Sequence, residues 1–355
     1  VFSVHFRGKI VIPVIPFSRL DVMDQRQQAL EQWLAAECDL ASYQMRALPG
    51  DASFRRYFRL QSAGSTMIAM DAPPERENCR PFVAIASSLR DKNLCAPEVI
   101  ASDFAQGFLL LTDFGDRLYL KELNSNNASE LYSTALDTLA VLQTCQNVPG
   151  WKLPNFTADF MYQELQIFKE WFLLRYLNLS LTPEQETMLS EFFYFLANSA
   201  STQTQVFMHR DFHSANLMCL PDRQVGILDF QDAFIGPVTY DLVSLLRDCY
   251  IDWPEAFVTE MVLQYKTKIG SAAPVSDEIF MRWFDLMGLQ RHLKALLTFA
   301  RKFHRDGASQ YLQFIPRTVN YVATICPRYP EAAAFNEFLT RVVMPQQERI
   351  SLCEQ

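Results

Sequence analysis

The 355-residue chain is predicted to be an α+β protein of two unequal lobes, a small β-rich lobe over residues 23–114 and a larger helical lobe over 115–355. Three observations carry that expectation. Short apolar runs bounded by turn residues crowd into the first third of the chain, with one amphipathic helix among them. From Ser129 onward apolar residues recur almost everywhere at helical spacing. One feature alone breaks the helical half: Leu217-Met218-Cys219-Leu220 and Val225-Gly226-Ile227-Leu228 flank Pro221-Asp222-Arg223-Gln224 and read as a hairpin.

In chain order, Asp24 to Glu37 sets Leu30, Trp33 and Leu34 at helical spacing with Cys38 just beyond, giving the first helix. Residues 1–22 precede any patterned element and are expected to be an N-terminal extension. Phe54 to Leu60, Thr66 to Met70, Pro97 to Ala101 and Phe108 to Leu111 read as strands. Between them, Pro81 to Asp91 has proline in its first turn and Phe82, Ile85, Ala86 and Leu89 on one face, a helix. In the second lobe Leu131, Ala135, Leu139 and Leu142 repeat at helix period, as do apolar residues over 159–177, 184–199, 255–268, 277–304 and 331–343.

Composition narrows the function. An apolar fraction of 49% with 20% charged residues describes an ordinary globular protein. A net charge of −8 without a dense Lys/Arg run argues against nucleic acid as partner. The apolar stretches are far short of a membrane span. Eight scattered cysteines form no C-x-x-C pair and there is no H-E-x-x-H, so zinc and redox chemistry are disfavoured and a cytoplasmic protein with reduced thiols is expected. The apolar run from Ile10 to Pro16 is broken by Pro13 and Pro16 and is no secretory signal. A monomer is expected.

The chemistry is concentrated in His209-Arg210-Asp211-Phe212-His213-Ser214-Ala215-Asn216, followed by an apolar strand that ends in Asp229. This is the order H-R-D-x-x-x-x-N plus a second aspartate of a kinase-type phosphotransfer site. There the first aspartate, here Asp211, accepts the proton of the attacking hydroxyl, while the asparagine and second aspartate, Asn216 and Asp229, hold Mg²⁺ against the phosphates of ATP. The hairpin explains the spacing, because it returns Asp229 to the place where Asn216 ended. A capped helix start beside an unrelated buried aspartate is the bland alternative, disfavoured because two motifs stand in register.

At this point the chain resembles the aminoglycoside phosphotransferase-like kinases, the small-molecule branch of the protein-kinase fold. The segments that carry the resemblance are Asp229-Phe230-Gln231-Asp232 and Gly236-Pro237-Val238-Thr239-Tyr240-Asp241-Leu242. It implies a bilobal kinase-like architecture, ATP and Mg²⁺ as cofactors, and an Asp241 that braces the catalytic loop through its backbone. Asp-Phe-Gln stands where a protein kinase has Asp-Phe-Gly, and no Ala-Pro-Glu follows, so a protein substrate is not expected. Asp113-Phe114-Gly115 imitates the metal triplet but precedes the catalytic loop; it reads as the hinge, where backbone groups near Thr112 and Phe114 would meet adenine. His304-Arg305-Asp306 imitates the catalytic loop, yet Tyr311 and not asparagine follows five residues on.

The phosphate-holding side departs from the kinase pattern. Gly50-Asp51-Ala52-Ser53 supplies one glycine, Gly50, and the N–H groups of Ala52 and Ser53 would reach phosphate; an ordinary hairpin turn fits equally well. No lysine occurs between Lys9 and Lys92, so the usual anchoring lysine is missing. Alternation puts Phe54, Arg56, Phe58 and Leu60 on one face, which makes Arg56 the candidate counter-charge, with Arg55, Arg59, Arg76 and Arg80 behind it. Solvated edge-strand arginines are the competing reading.

Residues 50–60, Met70-Asp71-Ala72-Pro73-Pro74-Glu75 and Arg291-His292-Leu293-Lys294 further resemble a sugar-kinase branch of this family. That resemblance implies an amino-sugar acceptor, the anomeric hydroxyl of N-acetylmuramate or N-acetylglucosamine in cell-wall recycling. Candidate substrate contacts are His213, Asp232, Arg247 and Arg291. Arg291, Lys294, Thr298 and Arg301 share a helix face that would suit an anionic sugar or simply face solvent. A cationic aminoglycoside would instead need carboxylates, for which Asp248, Asp252 and Glu255 are available. Choline-like or hydroxy-amino-acid acceptors remain open, as does a nucleotide-binding pseudokinase, which the absent lysine motivates.

Overall fold

The strand patterns of the first third resolve into one antiparallel five-stranded sheet in the order β1-β2-β3-β5-β4. The structure, a computed structural model, describes residues 19–353 apart from 39, 41, 50–53 and 63. The Gly50, Ala52 and Ser53 turn and most of the expected extension lie outside the described residues. The first lobe runs α1 (Arg19–Glu37), β1 (Gln44–Ala47), β2 (Arg56–Ser62), β3 (Ser65–Asp71), α2 (Arg80–Asp91), β4 (Val99–Asp103) and β5 (Phe108–Thr112). β1 was not anticipated, because its Gln-Met-Arg-Ala is a mostly exposed edge with no buried alternate residue.

Both faces of this sheet are covered. On one, Leu30, Trp33 and Leu34 of α1 pack against Phe58, Leu60, Ala69, Phe108 and Leu110. On the other, Met70, Leu109 and Leu111 meet Phe82, Ile85 and Leu89 of α2. Two-sided burial is why β5 reads as an unbroken apolar run. At the end of β3 the fully buried Asp71 ties α1 to the sheet. Its carboxylate accepts from Arg26 Nε and from Arg56 Nε, each at 2.9 Å.

The second lobe contains α3 (Tyr119–Glu122), α4 (Ala128–Leu142), α5 (Ala158–Phe168) with a π-helical continuation Lys169–Tyr176, and α6 (Pro183–Ser201). Then come β6 (Gln205–Met208), β7 (Leu217–Cys219), β8 (Val225–Ile227), β9 (Phe234–Pro237) and α7 (Tyr240–Leu246). The rest is α8 (Glu255–Ile269), α9 (Asp277–Asp306), α10 (Ile315–Ile325), α11 (Ala333–Phe338) and α12 (Met344–Cys353). The expected hairpin is present, β7 against β8 with Leu217 opposite Ile227. A second pair, β6 against β9, was not foreseen; it brackets the intervening loops like a clasp. α10 was also missed, although Ile315, Val319, Val322 and Ile325 are buried at helical spacing.

The thirty-residue α9 forms the spine of this lobe. Ser276 caps its start by accepting from the Ile279 N–H, and Gly307 ends it at φ +69°. From Phe284 to Leu293 every residue is buried, so periodicity alone does not say which side faces the site.

Removing the Asp71 carboxylate leaves two guanidinium groups, each about four-fifths buried, without their counter-charge. Asp71→Ala is expected to lower stability by roughly 3 kcal/mol, read from the urea midpoint at unchanged m-value. A loss under about 1 kcal/mol, typical of a surface pair, would show that the Asp71 link is peripheral.

Candidate active site

The loop between β6 and β7 is held from beneath by two carboxylates. Asp241, on the first turn of α7 and fully buried, accepts from the backbone N–H of His209 (2.6 Å) and of Arg210 (2.9 Å). This is the bracing expected of it. Burial pushes its pKa up to about 7, opposed by those two N–H bonds and by Arg291. Farther along, Asp248 accepts from the Ser214 N–H at 3.0 Å and from the Ser214 hydroxyl. Arg210, at φ +76°, turns the chain sharply just before Asp211.

His209 connects this loop to the segment after β8. Burial lowers its pKa to about 4, so the ring is neutral. Its Nδ1 accepts from the Asp211 N–H (3.3 Å) and its Nε2 donates to the Leu228 carbonyl (3.0 Å). The Leu228 N–H in turn donates to the Asn216 carbonyl (3.0 Å). Asn216 Nδ2 donates to the Asp211 carbonyl (3.0 Å), so its Oδ1 is the side-chain atom available to a cation. Asp229 follows Leu228 at φ +60°. Asp211, Asn216 and Asp229, distant in sequence, thus meet in one place.

Two cavities share that place. One, of about 350 Å³, lies between the lobes and is lined by Tyr57, Arg59, Ile68, Leu111, Phe114, Met218, Asn216 and Asp229. Its largely apolar walls suit a purine. The other, of about 740 Å³, lies against the helical lobe and includes Asp211, Asn216, Asp229, His213 and Asp232 with Glu164, Lys294, Thr298 and Arg301. Asn216 and Asp229 line both cavities, so a donor and an acceptor bound in them would meet at those residues.

The donor set fits Mg²⁺. The Asp229 side chain is half exposed, and partial burial with the neighbouring Asp211 and Asp232 raises its pKa against the opposing pull of Gln231 and Arg55. That is crowded negative charge of the kind a hard divalent cation neutralises. No group of three or more His, Cys, Asp or Glu residues fit for a metal occurs among the described residues. Two protein oxygens are enough for an ion that takes its remaining ligands from phosphate and water.

Several sequence-derived candidates sit elsewhere. Arg56 is bonded to Asp71 and lies over the Phe58 ring, 5.5 Å from its centroid, on the α1 side of the sheet; it does not face the cleft. Arg247 is buried, paired with Asp285 (2.7 Å) and Glu255 (2.9 Å), and lines neither cavity. Arg291 is buried under the loop, bonded to the Ser244 hydroxyl and near Cys249, with no access to the acceptor cavity. Thr112 does line the cavity between the lobes; its N–H donates to the Glu98 carbonyl and its hydroxyl accepts from the Glu98 N–H. Phe114 is at the cleft, and a Cβ on Gly226 would come within 2.8 Å of its ring, which accounts for that glycine. Asp248, Asp252 and Glu255 are committed to Ser214, Tyr321 and Arg247 with Arg328 respectively.

Others were underrated in the sequence. Lys294 Nζ lies 3.2 Å from Asp211 Oδ1. Burial by itself would raise the Asp211 pKa, but Lys294, His213, Arg291 and Arg210 outweigh it and hold the carboxyl far below its usual range. Gln231 Nε2 bridges Asp229 (2.8 Å) and Asp232 (3.0 Å). Arg59 staples β2 to the hinge through Asp113 (2.6 Å), Asp116 (2.7 Å) and the Gly115 carbonyl (2.9 Å).

A family profile described as "Phosphotransferase enzyme family" matches residues 44–275. An N-acetylmuramate/N-acetylglucosamine kinase of Pseudomonas aeruginosa is 44% identical over 292 residues, 81% of this chain and 86% of that protein. A protein of the same name from Neisseria meningitidis is 36% identical over 327 residues, covering 90% and 96%. Among solved structures, Plasmodium vivax ethanolamine kinase superposes with a TM-score of 0.63 at 12% identity, over 87% of this chain and 91% of that one. Aminoglycoside 2'-phosphotransferase-IIIa in its GDP complex gives 0.59 at 16%, over 83% and 99%. These distant likenesses speak to the fold.

The Lys294–Asp211 contact has a pH consequence. If Asp211 works ionised, its depressed pKa keeps it charged well into acid, and kcat/KM has no Asp211 limb in the ordinary carboxylate range. Lys294→Met removes the nearest cation and lets burial raise the carboxyl, so activity is lost at higher pH as the solution is acidified. A pH profile of that variant with an unmoved acid limb would refute the coupling.

Proposed function

The chain belongs to the phosphotransferase enzyme family, and from that premise we propose that it is an ATP- and Mg²⁺-dependent kinase of amino sugars. The acceptor is the anomeric hydroxyl of N-acetylmuramate or N-acetylglucosamine, the sugars in the names of its relatives. We read it as a cytoplasmic monomer that recycles cell-wall sugars and takes neither nucleic acid nor membrane as partner. No helix among the described residues is long and apolar enough to cross a bilayer.

The observation that carries the acceptor assignment is the cationic wall beside Asp211. Lys294, Arg301 and Lys302 of α9 line the larger cavity. The Arg301 Nε is buried without a hydrogen-bond partner, and nearby Arg305 together with burial lowers the guanidinium pKa. Such a wall suits a sugar bearing a carboxylate, as N-acetylmuramate does. It repels a polycationic aminoglycoside, whose natural partners Asp248, Asp252 and Glu255 are occupied away from the cavity.

In this reading the residues of the chain do three things. Asp211 orients the sugar hydroxyl and takes its proton as the phosphoryl group leaves ATP. Asn216 and Asp229 would hold Mg²⁺, which would supply positive charge against the ATP phosphates. His213 and Asp232, at the cavity edge, bond sugar hydroxyls. Most of the rate comes from placing hydroxyl and phosphate in line, with little covalent chemistry asked of the protein.

An acceptor panel with labelled ATP tests this. Phosphate is expected on C1 of N-acetylmuramate and N-acetylglucosamine, and none on kanamycin, choline or homoserine; transfer to a non-sugar alone would overturn the assignment. Asp211→Asn should still bind MgATP while transferring almost nothing. If wild type binds nucleotide yet phosphorylates no acceptor, the regulatory pseudokinase reading wins. Arg301→Gln should reduce kcat/KM for N-acetylmuramate about tenfold, the scale of one charged hydrogen bond, and affect neutral N-acetylglucosamine much less.

A further inference from the structure

We infer that Arg55, gripped by Glu77, is the residue that binds the ATP phosphates where kinases of this fold use a lysine. The inference rests on the ATP-dependent reading above and goes beyond it by assigning the missing counter-charge. Tyr57 and Arg59 line the cleft between the lobes, and side chains of a strand alternate. Arg55 immediately precedes β2, and its guanidinium lies on that side too, within electrostatic reach of Tyr57, Asp229 and Asp232.

Its geometry is that of a held cation. Arg55 Nη2 lies 2.9 Å from Glu77 Oε2, and both side chains are nearly buried, 11% and 13% exposed. The other Glu77 oxygen accepts from the Phe54 N–H (3.2 Å), so one carboxylate fixes both the strand entry and the guanidinium. Arg55 Nη1 lies 3.9 Å from Asp229 Oδ1, and the guanidinium also bonds the Tyr57 side chain. The gap to Asp229 is too long for a hydrogen bond. It is a loose ion contact that places the guanidinium beside the carboxylate read as a metal ligand, within reach of phosphates bound there. Arg55 also feels the charge of Asp232.

Five other arginines of the lobe are engaged in different places. Arg26 and Arg56 serve Asp71, and Arg59 serves the hinge. Arg76 and Arg80 lie over Phe54 and Phe104. The pairing repeats in arginine the logic of the lysine–glutamate pair that aligns phosphates in protein kinases. A planar fork donates to glutamate and to phosphate at once, which a single ammonium does less rigidly.

Calorimetric binding of MgATP and of adenosine to the full chain tests the assignment without requiring turnover. Arg55→Gln should weaken MgATP binding roughly ten- to hundredfold, the range for charged hydrogen bonds, with adenosine affinity unchanged. Arg55→Lys should recover part of the loss. Glu77→Gln, which keeps the cation but loosens its anchor, should raise KM for ATP without moving KM for the sugar. A folded Arg55→Gln protein with wild-type MgATP affinity overturns the assignment alone. A wild-type protein that binds no adenine nucleotide overturns the ATP reading and this inference with it.

Discussion

The site depends on two buried carboxylates that grip the backbone of one short loop. Asp241 holds the N–H groups at 209 and 210, and Asp248 holds the N–H and hydroxyl of Ser214. Buried carboxylates without partners would be prohibitive, so the loop supplies donors and Arg291 supplies charge. Its guanidinium lies under the loop, within electrostatic reach of Asp211, Asp241 and Asp248. Arg291 is thus part of the floor on which the site stands. The loop can then carry a sharp turn at Arg210, because both of its ends are fixed by buried carboxylates.

The same rigidity extends to Asp229. A non-glycine residue at φ +60° persists only where its surroundings over-determine it. Here the Leu228 N–H and carbonyl are bonded to Asn216 and His209, and Gln231 ties the carboxylate to that of Asp232. Protein kinases place glycine at the position of Gln231, where the segment changes conformation during regulation. A glutamine that bridges two carboxylates favours one arrangement, as expected of an enzyme acting on a metabolite.

What was legible in the sequence follows from distance along the chain. The catalytic loop, the hairpin and the second aspartate are local patterns, and all fell where expected. Face assignments failed where both sides of an element are buried. The alternation Phe54-Arg56-Phe58-Leu60 does describe one face of β2, but α1 covers that face and the cleft lies on the other, so Arg55 and not Arg56 looks toward Asp229. On α9, Arg291 and Lys294 stand three residues apart; one is buried on Ser244 and the other reaches Asp211, a distinction set by α7 and by the loop. β1 and β9 were missed because short segments containing Gln, Arg, Gly or Pro carry no alternating signal. Lys294 had a signal, its place on the cationic helix face, but periodicity gives that face no direction.

The cationic wall and the Asp211 carboxylate, the proposed base, are not independent. Lys294 borders the acceptor cavity and also lowers the Asp211 pKa, so the carboxylate is a weak base. A weak base is a poor means of deprotonating an ordinary alcohol early in the reaction. In a loose transition state the proton moves late, and the carboxylate acts first by orienting the hydroxyl. An anomeric hydroxyl belongs to a hemiacetal and is more acidic than a simple alcohol, so it asks less of that base. The residues that would attract an anionic sugar are therefore compatible with only a modest proton acceptor, and an anomeric acceptor is the one for which this compromise loses least. The matched family segment ends at residue 275, before α9 begins. The match takes in the loop of Asp211 and Asn216, and α9, which brings Lys294 and Arg301 to the larger cavity, follows it.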